Sequence, residues 1–292
     1  MLAAVVGVVV VLFFVETAKG EEEPEIAVTS YYNYRAMLWK NGIPQILTDG
    51  KKDVEASSVF VSGKDVYVAG HEYFKGMGIA AILWKNGIAQ RLTDGKEYAS
   101  AYSVFVSGKD VYVAGCEYNQ GKSVATLWKN GIAQRLTNGN SASAFSVYVS
   151  GEDVYVAGYE INNRRKDVAT LWKNGIAQRL TDENNQSRAF SVYVSGKDVY
   201  VAGHEENAQE TDVAILWKNG IAQKLTDGNN YAMARSVYVS GKDVYVAGSS
   251  QGAVLWKNGI AQTIKNNPAE ARSVYVSGKD VYVAGYSVQT NK

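Results

Sequence analysis

The sequence predicts an all-β chain, a six-bladed β-propeller of four-stranded antiparallel blades, with the ring closed by its N- and C-terminal strands. Three observations predict it. A unit of about 44 residues recurs, and its most constant stretch, Leu-Trp-Lys-Asn-Gly, starts at Leu38, Leu83, Leu127, Leu171, Leu216 and Leu255. Self-similarity at that period marks a repeat architecture, because one unit cannot bury its apolar face alone and must pack on its neighbours. Within each unit apolar residues alternate with period two and are interrupted by two tight-turn signals, which excludes a helical solenoid. A parallel β-helix is a weaker fit, since its coils rarely carry two hairpins per repeat.

Residues 146–182 serve as the type unit. Ser146-Val-Tyr-Val-Ser150 has the alternation and β-branched content of a strand. Gly151-Glu152 follows as a two-residue turn with Gly in the position that needs positive φ in a type II′ hairpin. Asp153-Val-Tyr-Val-Ala157 is the second strand and Val168-Ala-Thr-Leu-Trp-Lys173 the third. Asn174-Gly175 is the strongest short hairpin signal and leads into the fourth strand, Ile176-Ala-Gln-Arg-Leu180. Four antiparallel strands in 40 to 50 residues make a propeller blade.

The Ser-Val-[Tyr/Phe]-Val strand occurs at Ser58, Ser103, Ser146, Ser191, Ser236 and Ser273. The last unit ends after its second strand, whereas the chain starts with a third and a fourth strand at residues 36–47. These halves are complementary, so the termini are expected to build one blade and leave no open sheet edge. One strand is then in surplus: Ile26-Ala-Val-Thr-Ser-Tyr31 and the segment from Val281 to Tyr286 compete for one slot, or one of them forms an extra edge or docks on another subunit.

Residues 2–15 are apolar without interruption, too short a run to span a bilayer and suited to a signal-peptide core. Ala18 and Gly20 fit the small-residue positions before cleavage, so residues 1–20 are expected to be a signal peptide removed before Glu21, the alternative being an uncleaved anchor. Residues 21–292 form the propeller. The expected location is secreted, periplasmic or cell-surface, with no stable membrane insertion once the segment is cleaved. Formal net charge is +1, from 30 basic and 29 acidic residues, which removes the electrostatic case for nucleic acid as a partner. One cysteine, Cys116, permits no intramolecular disulfide.

With these tandem Val-Tyr-Val-Ala-Gly and Leu-Trp-Lys-Asn-Gly motifs the chain resembles a group of secreted bacterial β-propeller proteins over residues 26–286. The resemblance implies export and a propeller, and no particular activity. A Gly-His to Trp-Asp signature, a Gly-Gly kelch doublet and a sialidase-type Asp box are all missing from the sequence.

Function is expected where the copies disagree. The Gly-Lys and Asn-Gly turns are nearly uniform, whereas the other two connections of each blade vary and share one face of the disc, the face on which loops would recognise a partner. The residue just before each innermost strand reads Ser57, Tyr102, Phe145, Phe190, Arg235 and Arg272. This ring offers a stacking arc and a cationic arc, suited to a sugar, an anionic glycan or an aromatic acid.

Other recurring residues read as scaffold. Glu72, Glu117, Glu160 and Glu205 stand on separate blades and are expected to pair with nearby Lys or Arg, not to converge on a cation. His71 and His204 are too far apart for a zinc pair. Asp65, Asp110, Asp153, Asp198, Asp243 and Asp280 recur beside each turn and read as turn ties. Trp39, Trp84, Trp128, Trp172, Trp217 and Trp256 are either inter-blade packing or sugar-stacking platforms. Catalysis needs a carboxylate pair or an activated nucleophile that breaks the repeat, and none is present. The expectation is a non-enzymatic binding module without cofactor or metal, its partner a protein or glycan. The alternatives are a multivalent lectin and a surface protein assembling through a spare terminal strand, as a monomer or self-associating.

Overall fold

A computed structural model describes residues 11–12, 15–16, 26–29, 36–40, 43–48, 53–74, 78–266 and 268–287. All its regular elements are strands. Five full blades begin at Val54, Ala99, Ala142, Ser187 and Ala232, each with its four strands in sequence order. In the type blade these are Ala142–Ser150, Asp153–Ile161, Asp167–Lys173 and Ile176–Arg179. The first strand therefore starts four residues earlier than the alternation alone suggests.

Both turns have the expected backbone. Gly151 has φ 60°, as the first position of a type II′ turn requires, and Asn174 and Gly175 have φ 52° and 80°, the paired positive values of a type I′ turn. The two hairpins of a blade are then tied together. Asn174 donates from Nδ2 to Asp153 Oδ1 at 2.7 Å and accepts the Val154 amide at 2.8 Å, while Lys173 Nζ lies 2.7 Å from Asp153 Oδ2. The same tie joins Asp65 to Lys85 and Asn86, Asp110 to Lys129 and Asn130, Asp198 to Lys218 and Asn219, and Asp243 to Lys257 and Asn258. These aspartates are structural, as their sameness implied.

Each blade buries both faces. Trp128 packs on Ala69, Ala81 and Leu83 of the preceding blade, while Leu127, Ala125 and Tyr112, on the opposite face of the same blade, meet Trp172 of the next. Trp84, Trp128, Trp172, Trp217 and Trp256 are 0–1% exposed, so these five cannot be sugar platforms. The Trp39 side chain and the Asn41-Gly42 turn lie outside the described residues.

The ends differ from the expected single blade. Ile26–Thr29 takes the second-strand position, pairing Ala27 with Trp39 and Val28 with Leu38, and Val11–Leu12 adds a further strand beside it. Ala269–Ser277 and Asp280–Ser287 form a separate two-stranded sheet. There are thus six four-stranded strand sets and a terminal pair, the first full blade also carrying Val15–Glu16 alongside Val61–Ser62. The competition between the two segments is resolved by placing Ile26–Thr29 and Asp280–Ser287 in separate sheets. Among the described residues no strand pairing closes the ring through one shared blade. Of the expected signal segment, only residues 11–12 and 15–16 are described; the cleavage point lies outside the described residues.

Candidate functional site

Each first strand carries a β-bulge at one register-equivalent place. In the type blade Ala144 faces Gly158 and Ser146 faces Ala157, so Phe145 is the extra residue. The same count singles out Ser57, Tyr102, Phe190, Arg235 and Arg272 in the other units. The predicted ring is therefore the set of six bulge residues, lying within the first strands and not before them. A bulge re-aims its side chain and strengthens local twist. It also explains the constant Ala-Gly of the second strand. A Cβ on Gly158 would collide with the Ser143 carbonyl oxygen, and Gly70, Gly115, Gly203, Gly248 and Gly285 face the same obstacle in their own blades.

First strands of consecutive blades lie side by side around a cavity of about 190 Å³. Tyr102, Phe145, Phe190, Arg235 and Arg272 line it; Ser57 does not, and its neighbour Ser58 does. Below this rim a serine ring links the blades: Ser58, Ser103, Ser146, Ser191 and Ser236 each accept, at 3.2 Å, the amide of a valine on the next first strand. At the other end the axis is filled by Phe60, Phe105, Tyr148, Tyr193, Tyr238 and Tyr275, with successive ring centroids 4.7–5.3 Å apart. Burial raises the Tyr193 and Tyr238 phenols above the ordinary value. The cavity is a cup with an aromatic floor, a hydroxyl wall and a mixed rim.

The rim keeps the two predicted arcs. Tyr102 and Phe145 lie 5.6 Å apart and Phe145 and Phe190 5.7 Å apart between centroids. The Arg235 guanidinium sits 4.5 Å from the Phe190 centroid, and that of Arg272 lies 5.0 Å from the Tyr286 centroid. Between the arginines stands Glu270, whose Oε1 accepts from Arg235 Nε at 2.6 Å and whose Oε2 accepts from Arg272 Nε at 3.1 Å. Burial pushes the Glu270 carboxyl up, but the two guanidiniums outweigh it and hold it below the usual value. Sequence reasoning missed Glu270. The available signal was its place two residues before Arg272, where the other first strands carry Glu55, Ser100, Ser143, Arg188 and Met233.

The remaining candidates stay apart. Glu72 pairs with Arg91 at 2.9 Å and Glu117 accepts from Thr126, while Glu160 and Glu205 feel Arg179 and Lys224 on their own fourth strands. His71 meets Tyr73 at 2.9 Å and His204 stands 3.6 Å from Asp212. Burial depresses the two imidazoles to about 4 and about 3 respectively, helped in His204 by Arg188 and Arg235. Among the described residues no group of three or more His, Cys, Asp and Glu side chains is arranged to hold a metal ion.

The fold defines a β-propeller. No family model matches the chain, and no curated protein matches it. Its likeness is to solved propellers. The WD40 β-propeller domain of Doa1 is 15% identical with a TM-score of 0.56, covering 90% of this chain and 86% of that one. YCF48 bound to D1 peptide is 10% identical with a TM-score of 0.53, covering 90% and 86%. A puromycin-hydrolysing peptidase of Mycobacterium tuberculosis is 13% identical with a TM-score of 0.58; the match covers 86% of this chain and 44% of the peptidase. At such identities the likeness concerns the fold.

Proposed function

We propose that this chain is an exported propeller binding module whose ligand enters the axial cup from the variable-loop face. The observation that carries this reading is the coincidence of two patterns. The bulge residue lines the axial cavity in five of the six units, and its position is also one of the two most variable in an otherwise repeated strand. A purely structural bulge would tolerate one residue type throughout. Among the described residues the lining contains no carboxylate, imidazole or thiol, which favours holding a ligand over transforming it. The test is chemical-shift mapping of a glycan and small-molecule panel. Shifts confined to Tyr102, Phe145 and Phe190 and lost in Phe145→Ala support the cup; hits mapping only to outer loops overturn it. Export is checked by N-terminal sequencing of the mature chain, which should begin at Glu21.

A second reading is assembly through a sheet edge. Tyr282 is 48% exposed, whereas its equivalents Tyr67, Tyr112, Tyr155, Tyr200 and Tyr245 are 6–7% exposed beneath a third strand. Among the described residues no strand pairs with the outer edge of Asp280–Ser287, and Asp280 has no Lys or Asn tie. Unpaired edges invite strand addition. Light scattering that finds a strict monomer at all concentrations removes this reading.

A further inference from the structure

Resting on the cup as the binding site, we infer that its ligand is a small aromatic carboxylate, held by Arg235 and Arg272 as a fork that Glu270 positions. Among the described residues Arg235 and Arg272 are the only charged ones lining the cavity; Glu270 stands behind them and outside the lining. The cup therefore presents a net positive charge to its contents, two guanidiniums against the one carboxylate of Glu270 behind them, although the chain as a whole is nearly neutral.

The arginines are also pre-oriented. Each gives its Nε to one oxygen of the same carboxylate and lays its guanidinium face against an aromatic ring. Among the described residues their Nη atoms have no hydrogen-bond partner. A guanidinium fixed through Nε with its Nη donors unspent matches a planar carboxylate, and little side-chain entropy is left to lose on binding.

The rest of the cup selects the body of the ligand. Phe145 and Phe190 stand beside the fork and Phe105 and Tyr148 close the floor, so a flat apolar ring has faces to stack on. The volume of about 190 Å³ is below the range of about 300–1,000 Å³ for drug-sized ligands, which limits the occupant to one ring with its acid group. Among the described residues the hydroxyl protons of Ser58, Ser103, Ser146, Ser191 and Ser236 have no acceptor in the protein, which adds donors for a ring substituent.

The test is calorimetry and chemical-shift titration of the full chain with benzoate, 4-hydroxybenzoate, benzamide and glucuronate. Benzoate and 4-hydroxybenzoate should bind and benzamide should not. Arg235→Gln and Arg272→Gln should each weaken benzoate by about ten- to a hundredfold, the loss of hydrogen bonds to a charged group. Glu270→Ala separates positioning from charge. It makes the cup more positive, so simple attraction predicts tighter benzoate binding, whereas loss of the orienting acceptor predicts weaker binding. Circular dichroism of every variant guards against unfolding.

Equal binding of benzoate and benzamide, or no binding of either aromatic acid at millimolar concentration, overturns the inference while leaving the cup to be judged by the panel. Glucuronate binding with no aromatic acid bound also overturns it. Tighter binding by Glu270→Ala removes the positioning role. Benzoate binding that survives both arginine variants and Phe145→Ala sinks the cup site itself.

Discussion

Arg235 donates from Nε to Glu270 Oε1 at 2.6 Å across the boundary between two units, joining the last full blade to the C-terminal pair. Glu270 is 9% exposed at its side chain and is shared with Arg272. Removing one arginine leaves a nearly buried carboxylate with half its partners. Arg235→Ala should therefore destabilise the fold by about 1–3 kcal/mol. Urea denaturation checks this. Because the Glu270 carboxyl is held below its usual value, its contribution is complete above the unfolded value near 4.5 and fades as pH falls through the folded value.

Acid should act earlier through the histidines. His71 and His204 are depressed from 6.5 to about 4 and about 3, so the unfolded chain takes up protons that the folded chain refuses. Their contribution is intact above pH 6.5 and is lost progressively as pH falls toward the folded values. Each pH unit is worth about 1.4 kcal/mol per group, giving a loss of up to about 3 kcal/mol for His71 by pH 4. Guanidinium melts between pH 7 and 4 should show this decline, and a His71→Gln/His204→Gln variant should show a flatter one. Equal slopes for the two proteins refute the assignment.

The hairpin tie gives a local prediction. Asn174 sits at φ 52° and makes both side-chain bonds to the second strand. Asn174→Ala forces a Cβ-bearing residue without those bonds into the left-handed region, at a cost of about 1–3 kcal/mol. Asn174→Gly keeps the backbone conformation and should lose less. Thermal melts of the two variants should rank in that order.

Gly158 tests the bulge. Its hydrogen faces the Ser143 carbonyl oxygen, leaving no room for a methyl group. Gly158→Ala should cost about 3 kcal/mol or more, in the range reserved for core overpacking and backbone strain. Gly175→Ala, with no atom near the added carbon but φ 80°, should cost less.

The N-terminal segment gives the last prediction. The core cluster of the first full blade draws on Ala36, Leu38 and Leu47 and on nothing before them among the described residues. A chain beginning at Glu21 should therefore keep its β-sheet circular dichroism and lose only the two-residue pairings of Val11–Leu12 and Val15–Glu16. Loss of cooperative unfolding would show that these short strands hold the ends together.

Much of this molecule was legible before any coordinates. Asn174-Gly175 and Gly151-Glu152 fixed both hairpin types because positive φ is available cheaply to few residues. Tyr102, Phe145, Phe190, Arg235 and Arg272 were identified as a ring because the repeat lets one compare six copies of a single position. Glu270 was not, because its role depends on two arginines, one of them 35 positions away. Nor was the floor of Phe60, Phe105, Tyr148, Tyr193, Tyr238 and Tyr275, since alternation gives the two faces of a strand but not which one meets the axis.

The sequence by itself determined the repeat, the four strands of each full blade and the turn types, all of which rest on local backbone chemistry repeated along the chain. Tertiary structure alone decided three things. It turned the variable position into a bulge, it placed a carboxylate behind two cations, and it paired Ile26–Thr29 with Met37–Lys40 in place of a blade shared between the ends. Each depends on which of several locally equivalent strands meet in space. That choice is made by packing and register between distant segments, and period-two patterning is silent about it.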